Sequence, residues 1–168
     1  MLSEPPLEIH GTMVRVSSLG YIRLREVLDC YLKTPAYFRA VGQSIPTWQD
    51  VESEYQRLAE DPSRFFLGVE VYRSSQLVGV VDVRVGYPTK EAATIGLLLI
   101  RADQQGKGIG SETLSLVEHH LKGIGTISRI WAGIGRGNRS VIKFWKSRGY
   151  KPTFRGFFGQ IRWYEKKL

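Results

Sequence analysis

The spacing of apolar positions changes several times along the chain, and each change marks an element. Residues 95–100, Ile-Gly-Leu-Leu-Leu-Ile, form an almost unbroken apolar run of strand length. That pattern suits a strand covered on both faces. Gly110, Leu114, Val117 and Leu121 then recur at three- and four-residue steps, with Glu112, Ser115 and Glu118 between them. This is the stripe of an amphipathic helix. Upstream, residues 65–72 and 77–85 read as strands, the second alternating Val81, Val83 and Val85 against Asp82 and Arg84. Short turns at 73–76 and 86–91 link them to a third strand at 92–100, which predicts an antiparallel meander.

The flanks are read in the same way. Residues 1–8, with Pro5-Pro6, are expected to be a loose leader, and 9–16 a first strand burying Met13 and the valines. Leu24, Val27, Leu28 and Tyr31 fall at helical spacing. Thr34-Pro35 reads as an N-cap followed by proline at the first helical position, opening a short helix through Tyr37, Phe38 and Ala40. Thr47 with Asp50 three residues on makes a weak capping box for a helix striped by Trp48, Val51, Tyr55 and Leu58. Residues 128–134 form a strand reached from the meander through a helix, so it is expected parallel to residues 92–100 by a right-handed crossover. A helix through Val141, Phe144 and Trp145 follows, then a closing hairpin turning around Arg155-Gly156.

Composition bounds the class. A chain of 168 residues with 42% hydrophobic content predicts one domain, 1–168, with a real core. No apolar run reaches the roughly eighteen residues of a membrane span, and the first residues lack a secretory signal. The single cysteine, Cys30, forms no internal disulfide and reads as a buried helix residue, which fits a cytoplasmic setting. The net charge of +8 raises nucleic-acid binding, but the basic residues are dispersed and no block of them forms. His119 and His120 are adjacent and diverge on a helix, and His10 stands alone, so no metal site is expected.

Chemistry concentrates between the apolar run and the helix after it. Gln105-Gly-Lys-Gly-Ile-Gly-Ser111 places three glycines at alternate positions before a helix start. Unpaired helix N–H groups and the helix dipole attract anions, and glycines let a phosphate approach the backbone. Lys107 adds charge. The spacing matches neither the dinucleotide Gly-x-Gly-x-x-Gly fingerprint nor the P-loop, and a merely structural turn is the competing reading.

The segment Gln105-Gly-Lys-Gly-Ile-Gly110 resembles the Gln/Arg-x-x-Gly-x-Gly/Ala signature of the GNAT superfamily of N-acetyltransferases. A second match follows: Asn138, the aromatic pair Phe144-Trp145, then Gly149-Tyr150 resemble a later segment of that family. The resemblance implies an α/β (α+β) fold, a mixed, mostly antiparallel twisted sheet of six or seven strands with helices on both faces. It implies acetyl-coenzyme A as cosubstrate and no metal. Its pyrophosphate would lie on Gln105, Gly106, Lys107, Gly108, Ile109, Gly110 and Ser111, and its pantetheine arm between two splayed parallel strands, along Leu98, Leu99 and Ile100. Asn138 and Trp145 complete the coenzyme site. Arg101, Arg136, Arg139 and Lys143 would answer the coenzyme's other charges. The acceptor would be an amine beside the N-terminal helices, so Tyr31, Tyr37, Phe38 and Trp48 either touch it or fill the core beneath.

Transfer to an amine needs an oriented thioester, a stabilised oxyanion and a neutral nucleophile. An amine of pKa about 10.4 costs about 4.6 kcal/mol to present neutral at pH 7, which calls for a base. Where many family members carry glutamate this chain has Thr94, so Asp82, Glu70 and Glu91 are the candidates. Where the family often has an acidic tyrosine it has Trp145, with Tyr150 as a substitute. The absent pair motivates a second reading, a non-catalytic acyl-coenzyme A binding module. A homodimer through the aromatic residues of the closing hairpin, 157–163, is also open.

Overall fold

A computed structural model describes residues 6–158 and 161–168. The described residues form one eight-stranded sheet in the order β1-β2-β3-β4-β5-β6-β8-β7. The strands are β1 (Glu8–His10), β2 (Val14–Ser18), β3 (Arg64–Val71), β4 (Gln76–Val85), β5 (Ala92–Ile100), β6 (Arg129–Gly135), β7 (Lys151–Phe158) and β8 (Ile161–Lys167). The helices are α1 (Leu24–Leu32), α2 (Pro35–Val41), α3 (Trp48–Ala59), α4 (Ile109–Gly123) and α5 (Arg139–Ser147). Every pairing is antiparallel except β5 with β6.

Alternation along the strands builds two apolar layers. Val14, Val16, Val69, Val81, Val83, Ile95 and Ile130 face α4 and α5, meeting Leu114, Val117, Leu121 and Trp145. Val80 and Leu99 face the other way, onto Leu24, Val27, Tyr31, Phe38 and Val51 of α1–α3. Strands covered on both sides explain the apolar run at 95–100.

Several expectations shift. The sheet has eight strands rather than six or seven, because residues 9–16 divide into the β1–β2 hairpin turning at Gly11-Thr12. Met13 stands at that turn and is 40% exposed, while Val14 and Val16 are fully buried. The leader ends earlier, since the Leu7 carbonyl accepts from the Ser18 N–H and Glu8 opens β1; residues 1–5 lie outside the described residues. Thr34 does not cap α2 with its side chain; its hydroxyl donates to the Cys30 carbonyl at 2.8 Å. The Thr47–Asp50 capping box is complete. His10 is not alone, because its imidazole contacts the Tyr72 hydroxyl at 2.9 Å and the Glu8 carboxylate at 2.9 Å. The backbone is still extended at Arg155-Gly156 and Phe158 pairs with Ile161, so the hairpin does not turn at Arg155-Gly156; residues 159–160 lie outside the described residues. Glycine is a turn signal only where the chain is free to turn; β7 is an edge strand, where an irregular register and Pro152 are tolerated.

Glu70 on β3 shows how charge is buried here. Its side chain is 4% exposed and held by Arg15, whose Nε donates at 2.9 Å, and by Arg23 at the entry to α1. Without Glu70 the arginines remain partly exposed, and each keeps another carboxylate, Arg15 with Glu8 at 3.6 Å and Arg23 with Glu26 at 2.7 Å. Glu70→Ala is therefore expected to destabilise the fold by about 1–3 kcal/mol through the lost charged hydrogen bonds, visible as a fall in the thermal midpoint. An unchanged midpoint would show that the two arginines find water instead.

Candidate active site

The site begins where the sheet stops being continuous. β5 and β6 pair in parallel from Ala92↔Arg129 to Ile95↔Ala132, and no further. Beyond that point β6 pairs with β8 through Gly135, while β5 stays with β4 through Ile100. The strands diverge, and the edge of β5 from Gly96 to Ile100 has no strand partner on the β6 side.

A one-residue irregularity sets this divergence. Between Asp82↔Leu97 and Val83↔Ile95, Gly96 is the extra residue on β5. Ile95 and Leu98 consequently pack on the same face although three residues apart. Bulges bend a strand and increase its twist, which turns β5 away from β6. Alternate residues of a strand present their backbone groups to alternate edges. The Arg101 N–H bonds to Val78 of β4 at 2.7 Å, while the Ile100 carbonyl accepts from Gln105 Nε2 at 2.8 Å. Leu98 shares the Ile100 edge, so its N–H and C=O face the opening.

Two connected hollows follow the gap. One, of about 320 Å³, lies between the glycine loop and α5, walled by Gly106, Gly108, Gly110, Ser111, Phe144 and Trp145. The other, of about 440 Å³, runs between β5 and β6 under α2, and shares Leu98, Ile100, Gln105 and Trp145 with the first. Leu99 borders it, although its side chain packs in the α1–α3 core. The α2 backbone can approach because Gly135 lacks a side chain: a Cβ there would lie 2.5 Å from the Ala40 carbonyl oxygen.

The loop before α4 has the geometry of an anion cradle. Gly106 and Gly108 have φ of +74° and +83°, the left-handed region that disfavours side chains. A Cβ at Gly106 would meet nothing within 4 Å, so its backbone is open to a ligand. Gly108 caps α4 without a side-chain bond, and the N–H groups of Ile109, Gly110 and Ser111 precede the first intrahelical donor, the Glu112 N–H, which bonds to the Gly108 carbonyl at 3.0 Å. Ile109 offers only its backbone, since its side chain is buried. Glu112, in the same helical turn, would repel an anion but is turned away. Its carboxylate accepts from the Thr12 hydroxyl at 2.6 Å and from the N–H groups of Thr12 and Met13. Lys107 does not line the hollows; its Nζ donates to Gln104 Oε1 at 3.1 Å.

Across the cradle, Asn138 caps α5, its Oδ1 accepting from the Val141 N–H at 3.2 Å and the Ser140 hydroxyl at 2.7 Å. Asn138 borders the larger hollow. Trp145 is 6% exposed and stacks edge-on against Tyr150 at 4.7 Å. Tyr150 is no acid for this site, because it is fully packed and its hydroxyl donates to Glu118 at 2.9 Å. Arg101 is not a coenzyme contact: it is 4% exposed and pairs with Asp103 at 2.6 Å and Asp29 at 3.6 Å. Sequence reasoning missed Arg148, whose Nη2 donates to Ser111 Oγ at 2.6 Å at the head of α4.

A third cavity, of about 240 Å³, opens on the α1–α3 side of the bulge. Tyr37, Val41, Gly96 and Gly133 border both it and the groove, so the two meet there. Asp82, Glu54, Tyr31, Phe38, Phe66 and Trp163 are among its other lining residues, with Gln43. Of the three candidate bases only Asp82 reaches it. Its Oδ2 sits where a Cβ on Gly96 would be 2.8 Å away, and Arg64 holds both oxygens, Nε donating at 3.0 Å to Oδ1. Burial raises the Asp82 pKa above the usual carboxylate value, against the lowering pull of Arg64. Glu70 is enclosed by arginines elsewhere on the sheet, and Glu91 is exposed in the turn before β5. Thr94 is buried, its hydroxyl donating to the Tyr87 carbonyl at 2.8 Å. Trp48 stays outside the cavity, under the Arg25 guanidinium at 4.0 Å. Trp163, expected on an exposed dimer surface, lies half-buried in the cavity wall.

Residues 24–150, more than half of the chain, match the family model described as Acetyltransferase (GNAT) family. The chain belongs to the GNAT acetyltransferase family. It is an acyltransferase, and the family uses acetyl-coenzyme A. Among solved structures this GNAT chain is similar to an acetyltransferase from Thermus thermophilus, 27% identical, with a TM-score of 0.82 over 96% of this chain and 100% of that one. It shares its fold with PaiA N-acetyltransferase from Thermoplasma acidophilum in complex with coenzyme A, at 20% identity and a TM-score of 0.71 over 92% and 99% of the two chains. A Salmonella typhimurium acetyl transferase that modifies the N-terminal serine of ribosomal protein L7/L12 is 15% identical, with a TM-score of 0.80 over 96% and 99%. No curated protein sequence matches this GNAT chain significantly. Among the described residues no helix is long and apolar enough to cross a membrane.

Proposed function

We propose that this acyltransferase moves the acetyl group of acetyl-coenzyme A to a primary amine by direct attack within a ternary complex. The observation that carries this reading is the meeting of the groove and the carboxylate-lined cavity at Gly96. A thioester threaded along β5 would have its carbonyl at that junction, and an amine in the cavity would face it.

The residues divide the work as follows. Gly106, Gly108 and the first N–H groups of α4 receive the pyrophosphate, with Arg148 beside Ser111 adding charge. Leu98 and Ile100 pair with the amides of the pantetheine arm, and Asn138, Val141 and Trp145 close it in from α5. A free backbone N–H on β5 beyond the bulge stabilises the oxygen that becomes negative. Asp82 attracts the ammonium and takes one proton from it, leaving a neutral amine. Its nitrogen bonds to the carbonyl carbon, the carbon–sulfur bond breaks, and the second amine proton neutralises the departing thiolate through water. The products are the acetamide, free thiol and one proton released from Asp82 to solvent.

A route through an acetylated cysteine finds no support. Cys30 is fully buried, its thiol is directed at the Leu77 carbonyl at 3.6 Å, and burial pushes its pKa up to about 12. The test is thiol release from acetyl-coenzyme A with an amine panel, followed by initial rates with both substrates varied. Intersecting double-reciprocal lines and a product heavier by one acetyl group are expected. Parallel lines, which signal a covalent intermediate, would contradict direct attack.

A further inference from the structure

The third cavity carries information about the acceptor that the reaction alone does not. Its charged lining residues are Glu54 and Asp82, and among the described residues no lysine or arginine lines it. They come from different elements, α3 and β4, so their convergence is a property of the fold. Asp82 sits at the junction with the groove, against Gly96. Glu54 stands on α3, and it pairs with Arg57, 3.4 Å away on the same helix with its side chain 75% exposed. The Glu54 side chain is itself 41% exposed, and an exposed pair within one helical turn is weak, so a ligand cation can replace Arg57 there.

The remaining wall is mostly aromatic and aliphatic, with the Gln43 amide and the tyrosine hydroxyls as its polar groups. Tyr31 is 4% exposed and lines the cavity. A phenol hydroxyl has a lone pair to accept from a ligand ammonium group. Tyr37 borders both the cavity and the groove. Burial, with the charges of Asp82 and Glu54 adding to it, pushes the Tyr37 phenol up to about 12. Trp163, Phe38 and Phe66 supply ring faces, and aromatic faces attract cations. The volume of about 240 Å³ holds roughly eight water-sized groups, which suits a short chain.

We infer that the acceptor is a small dication, an aliphatic diamine or short polyamine, whose reacting nitrogen lies at Asp82 and whose second ammonium group is held by Glu54 with the Tyr31 hydroxyl. This rests on the amine-acetyltransferase reading above and narrows it. A neutral amine wastes the Glu54 carboxylate, and an amine bearing a carboxylate is repelled by it. A neutral peptide amine would meet one side-chain amide there, Gln43, and would leave Glu54 without a cation.

The experiment compares four acceptors under one condition: 1,4-diaminobutane, butylamine, 4-aminobutanoate, and a tripeptide with a free N-terminus and an amidated C-terminus. Rates are measured for the wild type and for Glu54→Gln, with circular dichroism and the thermal midpoint confirming that the variant folds. In the wild type the diamine is expected to exceed butylamine in kcat/KM by about tenfold or more, with the amino acid poorest. In Glu54→Gln that preference is expected to collapse, the loss residing mainly in the KM for the diamine; Glu54→Asp should restore part of it. Equal use of diamine and butylamine, a preference for the tripeptide, or a diamine preference untouched by Glu54→Gln would overturn the inference while leaving amine acetylation intact. No turnover of any amine, with coenzyme binding retained, would overturn both.

Discussion

Asp82→Asn is expected to lower kcat by about 10²–10⁴-fold while leaving the affinity for acetyl-coenzyme A in place. The amide keeps the size of the carboxylate and still accepts a bond from Arg64, so the strand and the bulge survive. It loses the charge that attracts an ammonium group and the capacity to take its proton. The pH dependence separates this from damage. Burial dominates at Asp82 and raises its pKa, and only the ionised form is a base. In the wild type kcat therefore rises with pH through a value above that of an ordinary aspartate, and in Asp82→Asn that acid limb disappears. A variant that lost activity with the limb still present would assign the limb to another group and leave Asp82 as a partner for Arg64.

The second large effect is expected at Gly108. Its φ of +83° costs any side chain roughly 1–2 kcal/mol, and a Cβ would contact Met13 Cε at 3.4 Å. Gly108→Glu adds a carboxylate where a diphosphate would lie, at the positive end of α4. Calorimetry should show binding of acetyl-coenzyme A weakened by at least about 100-fold. The β1–β2 turn and Glu112 brace the loop from outside the groove, so the variant should remain folded, and circular dichroism checks this. Unchanged binding in a folded variant would reduce the glycine loop to a strand–helix turn.

The parts of the site that can be read in the sequence are those built locally. The glycine loop and the stripe of α4 are contiguous, and so are the Asn138 cap and the aromatic pair of α5. Their spacing follows directly from helix geometry. The meander is legible because its turns are short and polar. The bulge is not. Gly96 lies in a strand apolar on both faces, where a shift of one residue leaves no mark on the pattern. The cavity is illegible for a different reason: Glu54, Asp82 and Trp163 meet only through the sheet order, and no spacing rule links them.

Charge is the least reliable guide. Arg101 and Lys107 flank the loop in sequence, yet one is buried against acids behind the sheet and the other is tied to Gln104. Arg148, far along the chain, is the cation that touches the head of α4. Long side chains choose partners by fold, so proximity in sequence to a phosphate loop does not assign a phosphate contact. The same holds for carboxylates: Glu70 and Asp82 lie on neighbouring strands and are both buried, but of the two only Asp82 lines the cavity that meets the groove.

The central claim is that the gap between β5 and β6 receives the coenzyme and delivers its acyl end to Gly96. A crystal structure of the protein grown with coenzyme A tests it most directly. The account expects the diphosphate on the N–H groups of residues 106–111, the pantetheine amides paired with Leu98 and Ile100, and the sulfur beside the bulge facing Asp82. Coenzyme bound elsewhere, or seated on the loop with its arm directed away from the gap, would contradict it.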